Sequence, residues 1–235
     1  MAFGADHSRV PPAGPGAPTR PRKEFRGGTS PADRACAVEH VGPRVQTVVM
    51  GVSTRLPGRA ALFDTAIGDC AIAWRGDAVF RFALPDTDSA TLFAHITRAV
   101  GDDSIDRAEP TGPIAEAVRG IRAHLAGELD DLRWIPLDTS AIPDFHRRVY
   151  DVTRAIDPGH TLSYGQVADR VGAPGAAQAV GQALGRNPIP LIIPCHRVLA
   201  ADNALHGFSA PGGITTKQRL LEIERTPGFG EPTLF

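Results

Sequence analysis

The sequence lacks any run of 18 or more apolar residues in its 235 positions, which is the length that a membrane-spanning helix requires. Its first residues, MAFGADHSRVPP, lack the apolar segment of a secretory signal. Cysteine is scarce, with three residues and no CxxC pair, which argues against a disulfide framework and against a structural zinc site. We therefore expect no membrane partner and a reducing compartment, the cytoplasm or, in a eukaryote, the nucleus.

The sequence also lacks an excess of charge, because its formal net charge is −1. No global positive field draws it to nucleic acid, so any such binding must use a local surface. Residues 1–34 hold 6 Pro and 5 Gly with a local excess of three positive charges. Such a stretch buries too little apolar surface to offset its ordering entropy. We expect residues 1–42 to be disordered, either as an unselected leader or as a basic arm that helps to hold DNA.

Residues 43–135 have the pattern of a first folded domain, of α/β class. A strand is predicted over 44–52, followed by a β-rich region in which Arg75-Gly76-Asp77 is typical of a hairpin turn. Helical spacing of apolar residues predicts two helices, over 89–101 and over 112–128.

Residues 136–235 have the pattern of a second, mostly helical domain. One helix is predicted over 145–156, and Ser163 with Gln166 fits a capping box that opens another helix. The break at 172–175 and a further helix over 176–186 complete a helix-turn-helix pattern. The outer side of the last helix is short and uncharged, which suits close approach to a backbone or a narrow groove better than reading of the major groove.

The segment whose side chains could take part in a reaction runs from Asn187 to Val198. Three prolines stiffen an apolar path that ends at Cys195, and His196 and Arg197 follow directly. Cationic neighbours lower the pKa of a thiol from about 8.5 toward a reactive thiolate. On this tripeptide alone, a cysteine after an apolar run is more often an inert core residue.

The surrounding motifs narrow the choice. SYGQVA, AVGQALGRNP, IIPCHRV and GFSAPGG occur in this order, and together they closely resemble the O6-alkylguanine-DNA alkyltransferases, the methylated-DNA–protein-cysteine methyltransferases. The resemblance covers about residues 143–226. It implies a ribonuclease-H-like α/β N-terminal domain, with a small antiparallel sheet plus helices, followed by a mostly α-helical C-terminal domain with a helix-turn-helix.

The resemblance also implies a reaction. A monomer of this family binds the minor-groove side of double-stranded DNA, flips out an alkylated guanine and transfers the alkyl group to a cysteine thiolate. The S-alkylcysteine is not regenerated, so one molecule repairs one base without a cofactor or a metal.

Roles follow from the motif positions. The resemblance makes Cys195 the alkyl acceptor, His196 its base through a bound water, and Glu224 the residue that orients His196. It implies that Tyr164 donates a proton or hydrogen bond to the departing guanine, that Asn187 organises the active-site turn, and that Arg197 ties the domain together. The implied pocket residues are Pro190, Val198, Phe208 and Ser209, and the implied DNA-binding residues are Ser163, Ala177, Gln178, Gly181 and Arg186.

Two departures from the family qualify these expectations. Gln178 stands where most relatives carry an arginine finger, which predicts weaker DNA binding without loss of chemistry. Cys36, His40 and Cys70 do not form a convincing zinc set, and the helical His95, His124 and His146 are expected at the surface or with their hydrogen bonds satisfied.

Two other functions stay open at this stage. A damage-sensing DNA-binding protein on the same scaffold would not transfer the alkyl group, although the intact Cys195 argues against it. A cysteine hydrolase would need an oxyanion hole and a route for turnover, and no local cysteine-protease motif is present.

Overall fold

The computed structural model describes residues 56–98, 105–201, 205 and 208–230. All of them belong to one compact unit. No helix within these ranges combines the length and the apolarity that a membrane span needs. Several predictions concern positions outside the described residues, namely the disordered tail 1–42, the strand over 44–52, and the roles of Cys36 and His40.

A four-stranded sheet begins the described fold. Its strands are β1 (Gly58–Phe63), β2 (Cys70–Arg75), β3 (Ala78–Ala83) and β4 (Ile105–Arg107), in the order β3-β2-β1-β4. The predicted hairpin turn is confirmed, since β2 and β3 pair antiparallel across Gly76, whose φ is 55°. The expectation of an antiparallel sheet is wrong in part, because β4 pairs parallel to β1 and makes the sheet mixed.

The two faces of the sheet bury different partners, as the alternation of side chains along a strand requires. On one face, small residues of β1 and β2 pack against Leu92 and Ile96 of helix α1 (Ser89–Thr97). On the other, larger side chains such as Ile72 pack against Ile121 and its neighbours on helix α2 (Gly112–Leu125). The apolar stripe predicted for the second helix is therefore confirmed.

Four more helices follow within the described residues: α3 (Asp144–Arg154), α4 (Tyr164–Arg170), α5 (Ala177–Gly185) and α6 (Gly213–Ile223). Two short strands in this half of the chain, β5 (Leu162–Ser163) and β6 (Val198–Leu199), pair with each other in parallel. The buried side chains of these helices and strands form one continuous core with the face of the sheet that packs against α2. The domain boundary near residue 135 stays a prediction.

Strand β3 also fixes the segment that leads to Cys195. The Phe82 amide donates a hydrogen bond to the Pro188 carbonyl at 3.0 Å. The same strand edge binds the chain at 136–138, because the Val79 amide donates to the Pro136 carbonyl at 2.9 Å. These bonds fix two segments from the second half of the chain to an edge of the sheet.

Candidate active site

Cys195 opens a 3-10 helix, Cys195–Arg197, that follows the proline-rich segment. Asn187 shapes this segment: its side-chain amide donates to the Ile193 carbonyl at 2.8 Å, and its side-chain oxygen accepts from the Ile189 amide at 3.0 Å. Leu191 sits between these anchors with a φ of 72°. A single asparagine thus closes the loop that presents the cysteine.

Glu224 is brought to the site by the end of α6. The helix closes with Arg225 in the left-handed conformation, φ 54°, and with a hydrogen bond from the Thr226 amide to the Leu221 carbonyl at 2.9 Å. This is the Schellman ending, which usually places glycine at the left-handed position. The ending turns the chain at Glu224, whose side chain is 1% exposed.

The Glu224 carboxylate accepts hydrogen bonds from three side chains. Oε1 lies 2.9 Å from His196 Nε2, 3.1 Å from His124 Nε2 and 2.7 Å from Arg197 Nη2. Oε2 accepts from Arg197 Nε at 2.9 Å, so the guanidinium binds in a bidentate manner. Arg197 also donates to the Ile156 carbonyl. All four side chains are almost completely buried.

Burial and these contacts set the protonation states. Burial alone would raise the pKa of Glu224, but its interaction with His196 and the hydrogen bonds from its three neighbours lower that pKa well below its usual range. The carboxylate is therefore ionised and only accepts, which places a proton on His196 Nε2. Burial also lowers the pKa of His196, so the ring is neutral at pH 7. Its Nδ1 is then unprotonated, and this buried atom has no hydrogen-bond partner among the described residues.

Cys195 is held as a thiol until a base removes its proton. Burial raises the pKa of this thiol, while a hydrogen bond from Asn187 and the charge of Lys217 act in the opposite direction. Lys217 is itself buried and donates to the Val198 carbonyl at 2.8 Å. The arrangement combines a concealed thiol, a neutral imidazole with a free nitrogen, and a fixed carboxylate, which is the set of groups that a nucleophilic cysteine needs.

A cavity of about 300 Å³ opens beside Cys195. Pro190, Phe208 and Ser209, all predicted pocket residues, line it, and β3 and α1 form its far wall. A smaller cleft of about 40 Å³ continues from Cys195 to Tyr164 and Gly181. Val198 is not at either wall, because it is fully buried in β6 and offers only its carbonyl to Lys217.

The helices α4 and α5 surround the mouth of this cleft. Ser163 caps α4 by accepting from the Gln166 amide at 3.1 Å, which confirms the predicted capping box. Tyr164 follows as a half-buried side chain, and burial raises its pKa, so the phenol keeps its proton. The predicted DNA-facing residues of α5 differ in exposure: Ala177 and Gly181 are half-buried, whereas Gln178 and Arg186 are exposed.

Sequence reasoning did not identify two members of the site, and it gave a third only a structural role. His124, expected only at the surface or satisfied, is completely buried and contacts Glu224 from α2. Lys217 had no assigned role, and Arg197 had a structural one, yet both reach the groups around Cys195. The sequence carried no local signal for His124 or Lys217, because both reach the site through tertiary contacts.

Comparisons with known proteins agree with this geometry. A family model described as "6-O-methylguanine DNA methyltransferase, DNA binding domain" matches residues 144–226. The methylated-DNA–protein-cysteine methyltransferase of Mycobacterium tuberculosis is 45% identical over 124 residues, which are 53% of this chain and 73% of the relative. That of Methanothermobacter thermautotrophicus is 35% identical over 156 residues, 66% of this chain and 79% of the relative.

Solved structures extend the similarity to the fold. The crystal structure of Mycobacterium tuberculosis OGT in complex with DNA superposes with a TM-score of 0.58 at 34% identity, and the match covers 71% of this chain and 93% of that one. Sequence and fold thus point to the same relatives, and the match includes the cysteine motif and the helices around it. The chain belongs to the methylated-DNA–protein-cysteine methyltransferase family.

Proposed function

We propose that this protein repairs O6-alkylguanine in duplex DNA by transferring the alkyl group once, and irreversibly, to the sulfur of Cys195. The observation that carries the proposal is the buried set of Cys195, His196 and Glu224 beside a cavity and a cleft, the latter bordered by Tyr164. A cofactor has no part in this reaction, because the thiol itself is the acceptor.

His196 acts first. Its Nδ1 carries a lone pair and takes the thiol proton of Cys195, through a bound water as the family resemblance implies. The imidazolium that forms keeps its second proton on Nε2, where the ionised Glu224 carboxylate lies 2.9 Å away. The carboxylate therefore stabilises the charge that develops on the ring, and the positive charge of Lys217 favours the thiolate.

The thiolate then attacks the alkyl carbon on O6 of the flipped guanine. The new S–C bond forms as the C–O6 bond breaks, and the electron pair of that bond stays on the guanine. A proton must reach the departing base, and the half-buried Tyr164 phenol is positioned beside the cleft to donate it or a hydrogen bond. S-alkylcysteine is stable, so each molecule acts once.

DNA recognition is assigned to α4 and α5, as a helix-turn-helix that approaches the minor-groove side of the duplex. The exposed Gln178 fills the space left by the flipped base and hydrogen-bonds the orphaned partner, with Arg186 near the backbone. Residues 136–235 hold 9 basic and 9 acidic residues, so few phosphate contacts are ionic and the salt dependence of binding is shallow. The mixed sheet with α1 and α2 is the ribonuclease-H-like domain in this proposal, and the protein acts as a monomer.

The test is an intact-mass measurement. The protein is incubated with excess duplex that contains one O6-methylguanine, beside Cys195→Ala and beside the unmodified duplex. We expect a gain of one methylene per wild-type molecule and no gain in either control. No gain with retained lesion binding would favour the damage sensor, and repeated product formation per molecule would favour a hydrolase.

A further inference from the structure

We propose that His124, contributed by α2 from the first half of the chain, is a positioning residue for the cysteine chemistry: it holds Glu224 and sets the share of that carboxylate which His196 receives. The inference rests on the proposed function and extends it to a residue that lies 71 positions before Cys195. Four observations support it.

The first observation is the tautomer of His124. The backbone amide of Asp130 donates to His124 Nδ1 at 3.2 Å. That nitrogen is therefore an acceptor and carries no proton, so the neutral ring has its proton on Nε2. Nε2 lies 3.1 Å from Glu224 Oε1 and donates to it.

The second observation is that the loop that supplies this amide is itself fixed. The Asp130 carboxylate accepts from the Leu132 amide at 2.7 Å and from the Trp134 indole nitrogen at 3.1 Å. Leu132 is completely buried with a φ of 56°. The orientation of the His124 ring is thus set from outside the active site, by a loop with few alternatives.

The third observation is crowding at one oxygen. Glu224 Oε1 receives His124, His196 and Arg197 at 3.1, 2.9 and 2.7 Å, although a carboxylate oxygen offers about two lone-pair directions. The three donors share its negative charge. Each donor then weakens the acceptor that the other two use, and His124 limits how strongly Glu224 draws a second proton onto His196.

The fourth observation is that the neighbourhood contains few other charges that could do this. His196 faces Cys195 and Arg197 on its own 3-10 helix, Glu224 at the end of α6, and His124 from α2. Arg197 is already engaged in a bidentate pair with Glu224. His124 is therefore the neutral side chain, besides His196 itself, that donates to Oε1 in this part of the described structure.

The consequence is a defined resting state. A neutral His196 with a bare Nδ1 can accept the thiol proton, whereas an imidazolium cannot. Loss of the His124 donor leaves Glu224 a stronger acceptor for His196, which raises the pKa of that ring. The acid side of the transfer rate profile then moves to higher pH.

Two substitutions separate the two hydrogen bonds of the ring. His124→Asn places an amide oxygen near the position of Nδ1, so it still accepts from Asp130 but cannot reach Glu224. His124→Gln places its amide nitrogen near the position of Nε2, so it still donates to Glu224. The asparagine variant is the test, and the glutamine variant is its matched control.

The readouts are long-range ¹H–¹⁵N spectra of the imidazole rings against pH, and single-turnover transfer from an O6-methylguanine duplex. In His124→Asn we expect His196 to titrate about 0.5–1 pH unit higher, a three- to tenfold change in its protonation equilibrium. At pH values below the pKa of His196, the transfer rate falls by a similar factor. At pH 7, where the ring stays mostly neutral, the rate changes little, and the Kd for lesion DNA changes less than twofold. His124→Gln stays near the wild type in all three.

Three results would overturn the inference. One is an unchanged His196 titration and rate in a folded His124→Asn. Another is an equal shift in both variants, and the third, measurable on the wild type alone, is a proton on Nδ1 of His124. If wild-type protein fails to transfer the methyl group, the proposed function fails, but the spectra still test the link between His124 and His196.

Discussion

The charge balance at Glu224 allows a quantitative test. Glu224→Gln replaces a buried carboxylate by an amide of nearly the same size, while Arg197 stays completely buried. The Arg197 guanidinium then loses the negative charge that it now contacts at 2.7 and 2.9 Å. The new amide N–H group also faces side chains that donate hydrogen bonds and cannot accept one from it. Breaking a buried pair in this way costs about 3–5 kcal/mol. This is a large share of the free energy of unfolding of a typical protein, about 5–15 kcal/mol.

An exposed pair in the same chain provides the control. Arg122 Nη2 lies 2.6 Å from Asp64 Oδ1, but the two side chains are 44% and 85% exposed. Asp64→Asn therefore removes an arginine–carboxylate contact of the same length in water, where it contributes about 1 kcal/mol or less. The two substitutions differ in burial and in the two histidine donors that Glu224 binds besides arginine.

The assay is urea unfolding followed by circular dichroism, with the free energy of unfolding taken from midpoint and slope. We expect Glu224→Gln to lose several times more stability than Asp64→Asn. Adding Arg197→Met to Glu224→Gln should recover part of the loss, because the unpaired charge is removed. The reasoning is refuted if Glu224→Gln costs no more than Asp64→Asn, or if the double substitution is less stable than Glu224→Gln alone.

Three further predictions concern pH, packing and charge. Burial lowers the pKa of His196 in the folded chain below the value of about 6.5 that it has in the unfolded chain. The unfolded chain therefore binds the extra proton, and the free energy of unfolding should fall as pH drops below about 6.5, by up to about 1.4 kcal/mol per pH unit. A His196→Gln variant with the same dependence on pH would contradict this. Gly181→Ala adds a methyl group 3.8 Å from Tyr164, which is an ordinary van der Waals contact. Because alanine favours a helix over glycine, thermal unfolding should show a free energy of unfolding higher by about 0.5–1 kcal/mol, while methyl transfer slows. A lower Tm would count against this prediction. Lys217→Met removes the charge that favours the Cys195 thiolate, so iodoacetamide labelling of Cys195 followed by mass should need higher pH, and an unchanged pH profile would exclude this role.

Local features of the fold were predictable because neighbours in the chain determine them. The capping box at Ser163 uses residues three positions apart, and the turn at Gly76 needs a positive φ that glycine adopts freely. The first predicted helix was too long, because α1 ends at Thr97. Arg81, from β3, donates to the Arg98 carbonyl at 2.9 Å at that end, a contact that no local pattern contains.

Pairing across long distances was not predictable in the same way. The parallel partner of β1 is the three-residue β4, whose short IDR segment has no strand periodicity of its own. Gly58 of β1 pairs with Ile105 of β4, and β2, β3 and α1 lie between them in the chain. The antiparallel expectation for the whole sheet therefore held for β1–β3 and was wrong at the fourth strand.

The sequence by itself determined the reactive motif and its family, because Cys195, His196 and Arg197 are adjacent and Asn187 and Glu224 lie at motif spacings. Only the tertiary structure decided how Glu224 is shared. His124 meets it across 100 positions, and Arg197 binds both of its oxygens. The physical reason is that a buried carboxylate can accept hydrogen bonds only from donors within roughly 3 Å. The packing of the whole fold decides which donors lie at that distance.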